Sequence, residues 1–212
     1  MPARGRLIAL EGIDGCGKST QARALADVLA ARLTFEPGAT PVGARLRELL
    51  LAPDAAPPTA RTEALLMAAD RAEHVARIVE PALAAGEWVV SDRYAGSTIA
   101  YQGYGRGLDP SQLDGLVRWA TGGLAADLSI LVDVGVDVAA ERLAAQGRRG
   151  ADRMERLGPD FAARVREGFL AQAAQDPDRW LVVDGTLDVA ALTAHMVACV
   201  RERFGGAPAG RR

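Results

Sequence analysis

One run of eight residues has the types and spacing needed to hold a polyphosphate. Gly12-Ile13-Asp14-Gly15-Cys16-Gly17-Lys18-Ser19 fits the pattern G-x4-G-K-[ST]. Glycines in such a loop let successive backbone N–H groups curl around phosphate oxygens, and a helix starting there adds positive potential. The lysine reaches the β- and γ-phosphates and the serine hydroxyl faces the magnesium ion. Lys18 is the only lysine in the chain, so 24 of the 25 basic residues are arginine, and there is no asparagine. The composition has drifted towards arginine, and one lysine survives where this chemistry needs it. The expected ATP-binding set is Gly12, Ile13, Asp14, Gly15, Cys16, Gly17, Lys18, Ser19 and Thr20. The same counts exclude a guanine-reading switch protein, whose Asn/Thr-Lys-x-Asp motif cannot be written here.

A second group follows the apolar run at Trp88. Asp92-Arg93-Tyr94 stands where a buried strand would end. A guanidinium at the carboxyl edge of a parallel sheet can hold an acceptor phosphate bidentately. Asp92 there is placed to orient Mg²⁺ or its water. Phosphoryl transfer brings like charges together, so further cations are needed. The variable positions of the phosphate loop carry none. Arg148, Arg149 and Arg153, in the Arg- and Gly-rich stretch from Gln146 to Gly158, are the expected suppliers, and this stretch reads as a charged flap rather than core.

These residues need a scaffold that brings them together. Short apolar runs at Leu7–Leu10, Arg32–Phe35, Trp88–Asp92, Leu128–Asp133 and Leu181–Asp184 read as five strands. Longer amphipathic runs read as helices over Gln21–Arg32, Thr62–Ala85, Pro110–Ala120, Glu141–Ala145, Phe161–Ala174 and Val189–Arg203. Strands alternating with helices imply an α/β fold, a five-stranded parallel sheet covered on both faces. Residues 1–204 are expected to form one domain, and 205–212 a disordered tail.

Composition narrows the function class. Net charge is -2, which argues against a dedicated nucleic-acid binder. Two cysteines, Cys16 and Cys199, cannot make a disulfide framework; Cys16 reads as loop filler and Cys199 as core. No apolar stretch is long enough for a signal peptide or a membrane span, so the expectation is a cytoplasmic protein.

The motifs taken jointly resemble the bacterial thymidylate kinase family, P-loop kinases of nucleoside monophosphates. The resemblance is carried by Leu10-Glu11-Gly12-Ile13-Asp14-Gly15, Glu36-Pro37-Gly38, Ala69-Asp70-Arg71-Ala72-Glu73-His74, Asp92-Arg93-Tyr94 with Ser97, Ala100-Tyr101-Gln102-Gly103, Gly105-Arg106-Gly107-Leu108 and Asp152-Arg153-Met154-Glu155. It implies a P-loop NTPase fold with an arginine-bearing lid, ATP and dTMP as substrates, Mg²⁺ at Ser19 and Asp92, and a homodimer. It also implies an acceptor site of Asp14, Glu36, Pro37, Arg47, Met67, Arg71, Arg93, Thr98, Tyr101 and Gln102. Catalytic roles fall to Lys18, Arg93, Arg153, Arg149 and Asp14. Tyr101 packed at C2′ would exclude a ribose hydroxyl, and His74 reads as a packing or surface residue. Three positions depart from the family pattern: Met67 in place of Phe, Phe35 in place of Arg, and Thr98 in place of Ser or Asn. All lie on the base side. The alternatives are another nucleoside or nucleotide kinase, and a P-loop module that binds nucleotide without turnover.

Overall fold

The computed structural model describes residues 3–52, 56–145 and 153–205. Five strands, β1 Leu7–Glu11, β2 Arg32–Phe35, β3 Val89–Asp92, β4 Leu128–Asp133 and β5 Trp180–Asp184, form one parallel sheet in the order β2-β3-β1-β4-β5. The central strand β1 pairs Leu10 with Asp92 on one side and with Ile130 on the other. Its apolar run is buried throughout because both sheet faces are covered. Alternate residues serve opposite faces: Ile8 and Leu10 join a core with Leu25, Val90 and Phe169, whereas Leu7 and Ala9 join a smaller one with Val75, Val79 and Tyr94.

The helices are α1 Lys18–Leu29, α2 Pro41–Leu51, α3 Ala60–His74, α4 Glu80–Ala84, α5 Ala95–Thr98, α6 Pro110–Ala120, α7 Val136–Ala145, α8 Pro159–Gln175 and α9 Val189–Phe204. Two π-helical turns interrupt them, Val75–Val79 and Ile99–Gly105. The run expected as one helix over Thr62–Ala85 is therefore two α-helices joined by a π turn. Pro81 gives the reason: it has no N–H for a regular ladder, and the Glu80 N–H bonds Val75 C=O, one residue further back than in an α-helix. The first helix begins at Lys18 rather than Gln21, and α2 was not among the expected elements. Thr40 caps α2, accepting from the Gly43 N–H, and Pro41 sits at its first turn, so the residues that punctuate the sequence are the helix start.

Two further expectations are corrected. Cys199 is half-buried rather than core, its Sγ 3.9 Å from His195 Nε2. In the Gln146–Gly158 stretch, Arg153 and Met154 are buried, so its end belongs to the packed body rather than to a solvated flap. Arg148 and Arg149 lie outside the described residues, as does the 206–212 tail. Among the described residues, no helix is long and apolar enough to cross a membrane.

Candidate active site

The chain reverses its winding direction around β1, and the crevice this leaves lies at the carboxyl ends of β1 and β3. A cavity of about 500 Å³ opens there, a size suited to a small ligand. Its wall includes Asp14, Lys18, Ser19, Glu36, Pro37, Arg47, Met67, Arg71, Asp92, Arg93, Thr98, Tyr101 and Gln102. All of these were expected from the sequence. Phe35, Leu51, Asp70, Ser97 and Met154 complete it.

The phosphate loop runs from Gly12 to Gly17 between β1 and α1. Gly17 caps α1 with φ 94°. Gly15 has φ 83°, and a Cβ there would meet the Ala139 carbonyl oxygen. Both positions need glycine. Ile13 and Cys16 turn their side chains into the core, so they offer the loop only backbone. Burial pushes the Cys16 thiol up, which keeps it protonated and inert. The Lys18 ammonium lies 3.3 Å from Ile13 C=O and 3.4 Å from Asp14 Oδ1. Ser19 and Thr20 are exposed in the first turn of α1, and Ser19 alone of the two lines the cavity. Arg142 on α7 donates to Cys16 C=O (3.1 Å) and Gly185 C=O (3.0 Å), tying the outside of the loop to the end of β5. Nothing in the sequence pointed to Arg142.

Asp14 is where the two halves of the cavity meet. It pairs with Arg93, is close to Lys18, and accepts from the Tyr101 hydroxyl at 2.9 Å. Burial alone would raise its pKa, but Arg93 and Lys18 override that and hold the carboxyl well below the usual range. Arg93 in turn donates to Tyr101 Oη (2.8 Å), Gly12 C=O (3.1 Å) and Ser97 Oγ (3.1 Å), and its guanidinium lies 4.7 Å from the Tyr101 ring centre. Its backbone adopts φ 73°, a conformation that costs a non-glycine residue about 1–3 kcal/mol. Hydrogen bonds from its N–H to Leu10 C=O and from Ser91 Oγ to its own C=O hold it there. In this conformation Arg93 lines the cavity.

Behind Arg93, Glu11 is fully buried and accepts from the Tyr94 and Ser97 N–H groups and from Ser97 Oγ at 2.6 Å. Burial pushes Glu11 up to about 7, against the opposing pull of Ser97 and Arg93. Asp92 lines the cavity next to these groups. Its Oδ1 is buried, and no hydrogen-bond partner reaches it among the described residues. This orphaned carboxylate oxygen and the Ser19 hydroxyl line the same cavity, and hard oxygens of this kind suit a magnesium ion or its water.

The opposite wall is a closed network. Arg71 is 2% exposed. It donates to Glu36 (2.8 Å), Thr98 Oγ1 (2.6 Å) and Tyr94 C=O (2.8 Å). It therefore belongs to no solvated helix face. Glu36 also bonds His74 Nδ1 (2.7 Å), whose Nε2 bonds Thr34 Oγ1 (2.7 Å). His74 is packing, as expected. Asp70 accepts from the Gly38 N–H at 2.9 Å. Burial and the nearby Glu36 push its carboxyl up to about 6. Arg47 is exposed at the mouth and donates to Pro37 C=O at 2.8 Å. Arg153 is buried and tied to α2 and α3. Its Nε donates to Leu50 C=O (2.9 Å) and its Nη2 to Glu63 (2.6 Å).

The model of the thymidylate kinase family matches residues 10–196. The chain belongs to the thymidylate kinase family. That membership makes it a phosphotransferase of nucleotide metabolism. It is 48% identical over 210 residues to a thymidylate kinase of Synechococcus sp. (strain RCC307), covering 94% of this chain and 97% of that one. A Cupriavidus pinatubonensis thymidylate kinase is 46% identical over 200 residues, covering 91% and 96%. The crystal structure of thymidylate kinase from Ehrlichia chaffeensis superposes with a TM-score of 0.76 at 32% identity, covering 94% of this chain and all of that one. The likeness therefore spans most of the chain, not the phosphate loop alone.

Proposed function

We propose that the protein transfers the γ-phosphoryl group of ATP to dTMP, giving dTDP and ADP. The observation that carries this reading is the Asp14–Arg93–Tyr101 junction, where the phosphate loop meets the wall of Glu36, Arg71 and Thr98 in one cavity. The loop N–H groups and Lys18 hold the donor β- and γ-phosphates. Ser19 and Asp92 hold Mg²⁺, which when bound neutralises charge on the donor oxygens. Arg93 holds the acceptor phosphate in line with the donor, and Asp14 positions both Lys18 and Arg93. Tyr101 closes over the deoxyribose, leaving no room for a 2′-hydroxyl. Arg71, Thr98, Gln102 and Met67 surround the base. Phosphoryl transfer asks for little covalent chemistry from the protein, so placement and water exclusion account for the rate.

Residues 1–204 act as one kinase domain in this reading. The 146–158 segment serves as its lid, anchored to the packed body at its Arg153–Met154 end, with Arg148 and Arg149 supplying the cations missing from the phosphate loop. The enzyme works in the cytoplasm as a homodimer. The test is ADP release with ATP and Mg²⁺ against a panel of nucleoside monophosphates. Turnover selective for dTMP is expected. Preference for another acceptor would establish a different nucleotide kinase, and no turnover would establish a binding module.

A further inference from the structure

Glu63 on α3 has no place in the reaction described above, yet it is fully buried and carries four hydrogen bonds. Gln102 Nε2 donates to Oε1 at 2.9 Å. Arg106 donates through Nε (3.1 Å) and Nη2 (2.9 Å). Arg153 donates to Oε2 at 2.6 Å. Burial would raise its pKa, but the bonds from Arg106, Gln102 and Arg153 outweigh that and lower it, so Glu63 is a carboxylate. An ionised carboxylate accepts and never donates. Gln102 must therefore present its NH₂ to Glu63, and its amide oxygen is the atom left for the cavity that the residue lines.

We propose that Glu63 is a positioning residue for acceptor recognition: it locks the Gln102 amide so that Oε1 faces the base and favours a pyrimidine carrying an N3–H donor. Arg106 and Arg153 saturate the remaining lone pairs and hold the carboxylate still. The inference rests on the acceptor being a deoxynucleoside monophosphate. Thymine offers N3–H to a fixed acceptor, whereas cytosine presents a lone pair at N3. Leaving such a buried polar pair mismatched weakens binding about tenfold or more, enough to discriminate.

The experiment is the ratio of kcat/KM for dTMP to that for dCMP, measured with the full chain and ATP–Mg²⁺. Glu63→Gln converts the acceptor into an amide that pairs with Gln102 in either orientation. The ratio is expected to fall about tenfold, while KM for ATP stays within about twofold. In a Gln102→Ala background, Glu63→Gln is expected to leave the ratio unchanged, because the effect runs through that amide. A ratio unchanged in folded Glu63→Gln, or an undiminished effect in the Gln102→Ala background, overturns the inference. Should Glu63→Gln fail a thermal-melt check, the combined Glu63→Met, Arg106→Met, Arg153→Met variant removes the buried charges together. The same fall in ratio is expected from it, and an unchanged ratio overturns the inference equally. A wild-type chain without dTMP turnover overturns both this inference and the kinase reading.

Discussion

The two halves of the cavity are built differently. On the proposed acceptor side, Glu36, Arg71, His74 and Thr98 are all buried and linked in a chain of hydrogen bonds of 2.6–2.8 Å. On the proposed donor side, the groups offered to a ligand are backbone N–H groups, one lysine, an exposed Ser19 and an aspartate oxygen with no hydrogen-bond partner among the described residues. The acceptor half is part of the protein's own packing. The donor half keeps its polar groups for a ligand. Substitutions should therefore separate: on the acceptor side they cost stability as well as binding, and on the donor side they cost turnover alone.

Lys18→Ala gives the largest expected effect. Turnover should fall by about 10³-fold or more, with a melting temperature close to wild type, because among the described residues the Lys18 ammonium bonds to its own loop. A large loss of stability would break the contrast. Arg93→Ala should lower kcat/KM for the acceptor by about 10²-fold, with KM for ATP changed only a few-fold. Steady-state kinetics in both substrates check this, and a change confined to ATP would reverse the two sites.

Arg71→Ala should destabilise the fold by about 3 kcal/mol or more, since it strands the buried Glu36 carboxylate; denaturant unfolding measures it. Asp70→Asn sharpens the same point through pH. A carboxyl raised in the folded state adds stability at low pH and loses it as pH rises through the folded value. Asp70 is raised from 3.8 to about 6. Relative to wild type, Asp70→Asn should therefore gain stability between pH 4 and 7 and stay level above, by on the order of 2 kcal/mol. The smallest effect is at the surface: the Arg32–Glu87 pair is half exposed on both sides. Arg32→Ala should cost no more than about 0.5 kcal/mol.

The sheet and the donor loop were legible because each is local. Leu128–Asp133 and Pro110–Ala120 have the bounds their patterns imply, and Gly12–Ser19 is a contiguous motif. The acceptor residues were legible through the family resemblance, one position at a time. Their partners were not. Glu11, Glu63 and Arg142 each make a contact 86 or more residues away in the chain, which no spacing reports. The Arg153 contacts illustrate the limit: the arginine-rich run read as flap, yet its far end is pinned by Leu50 and Glu63 on α2 and α3.

The most direct test of a pre-formed acceptor half beside a ligand-dependent donor half is a calorimetric titration of Lys18→Ala with dTMP, paired with a turnover assay on the same sample. dTMP affinity is expected to stay within a few-fold of wild type while turnover is lost. Affinity lost together with turnover, or turnover retained, would overturn that division of the cavity.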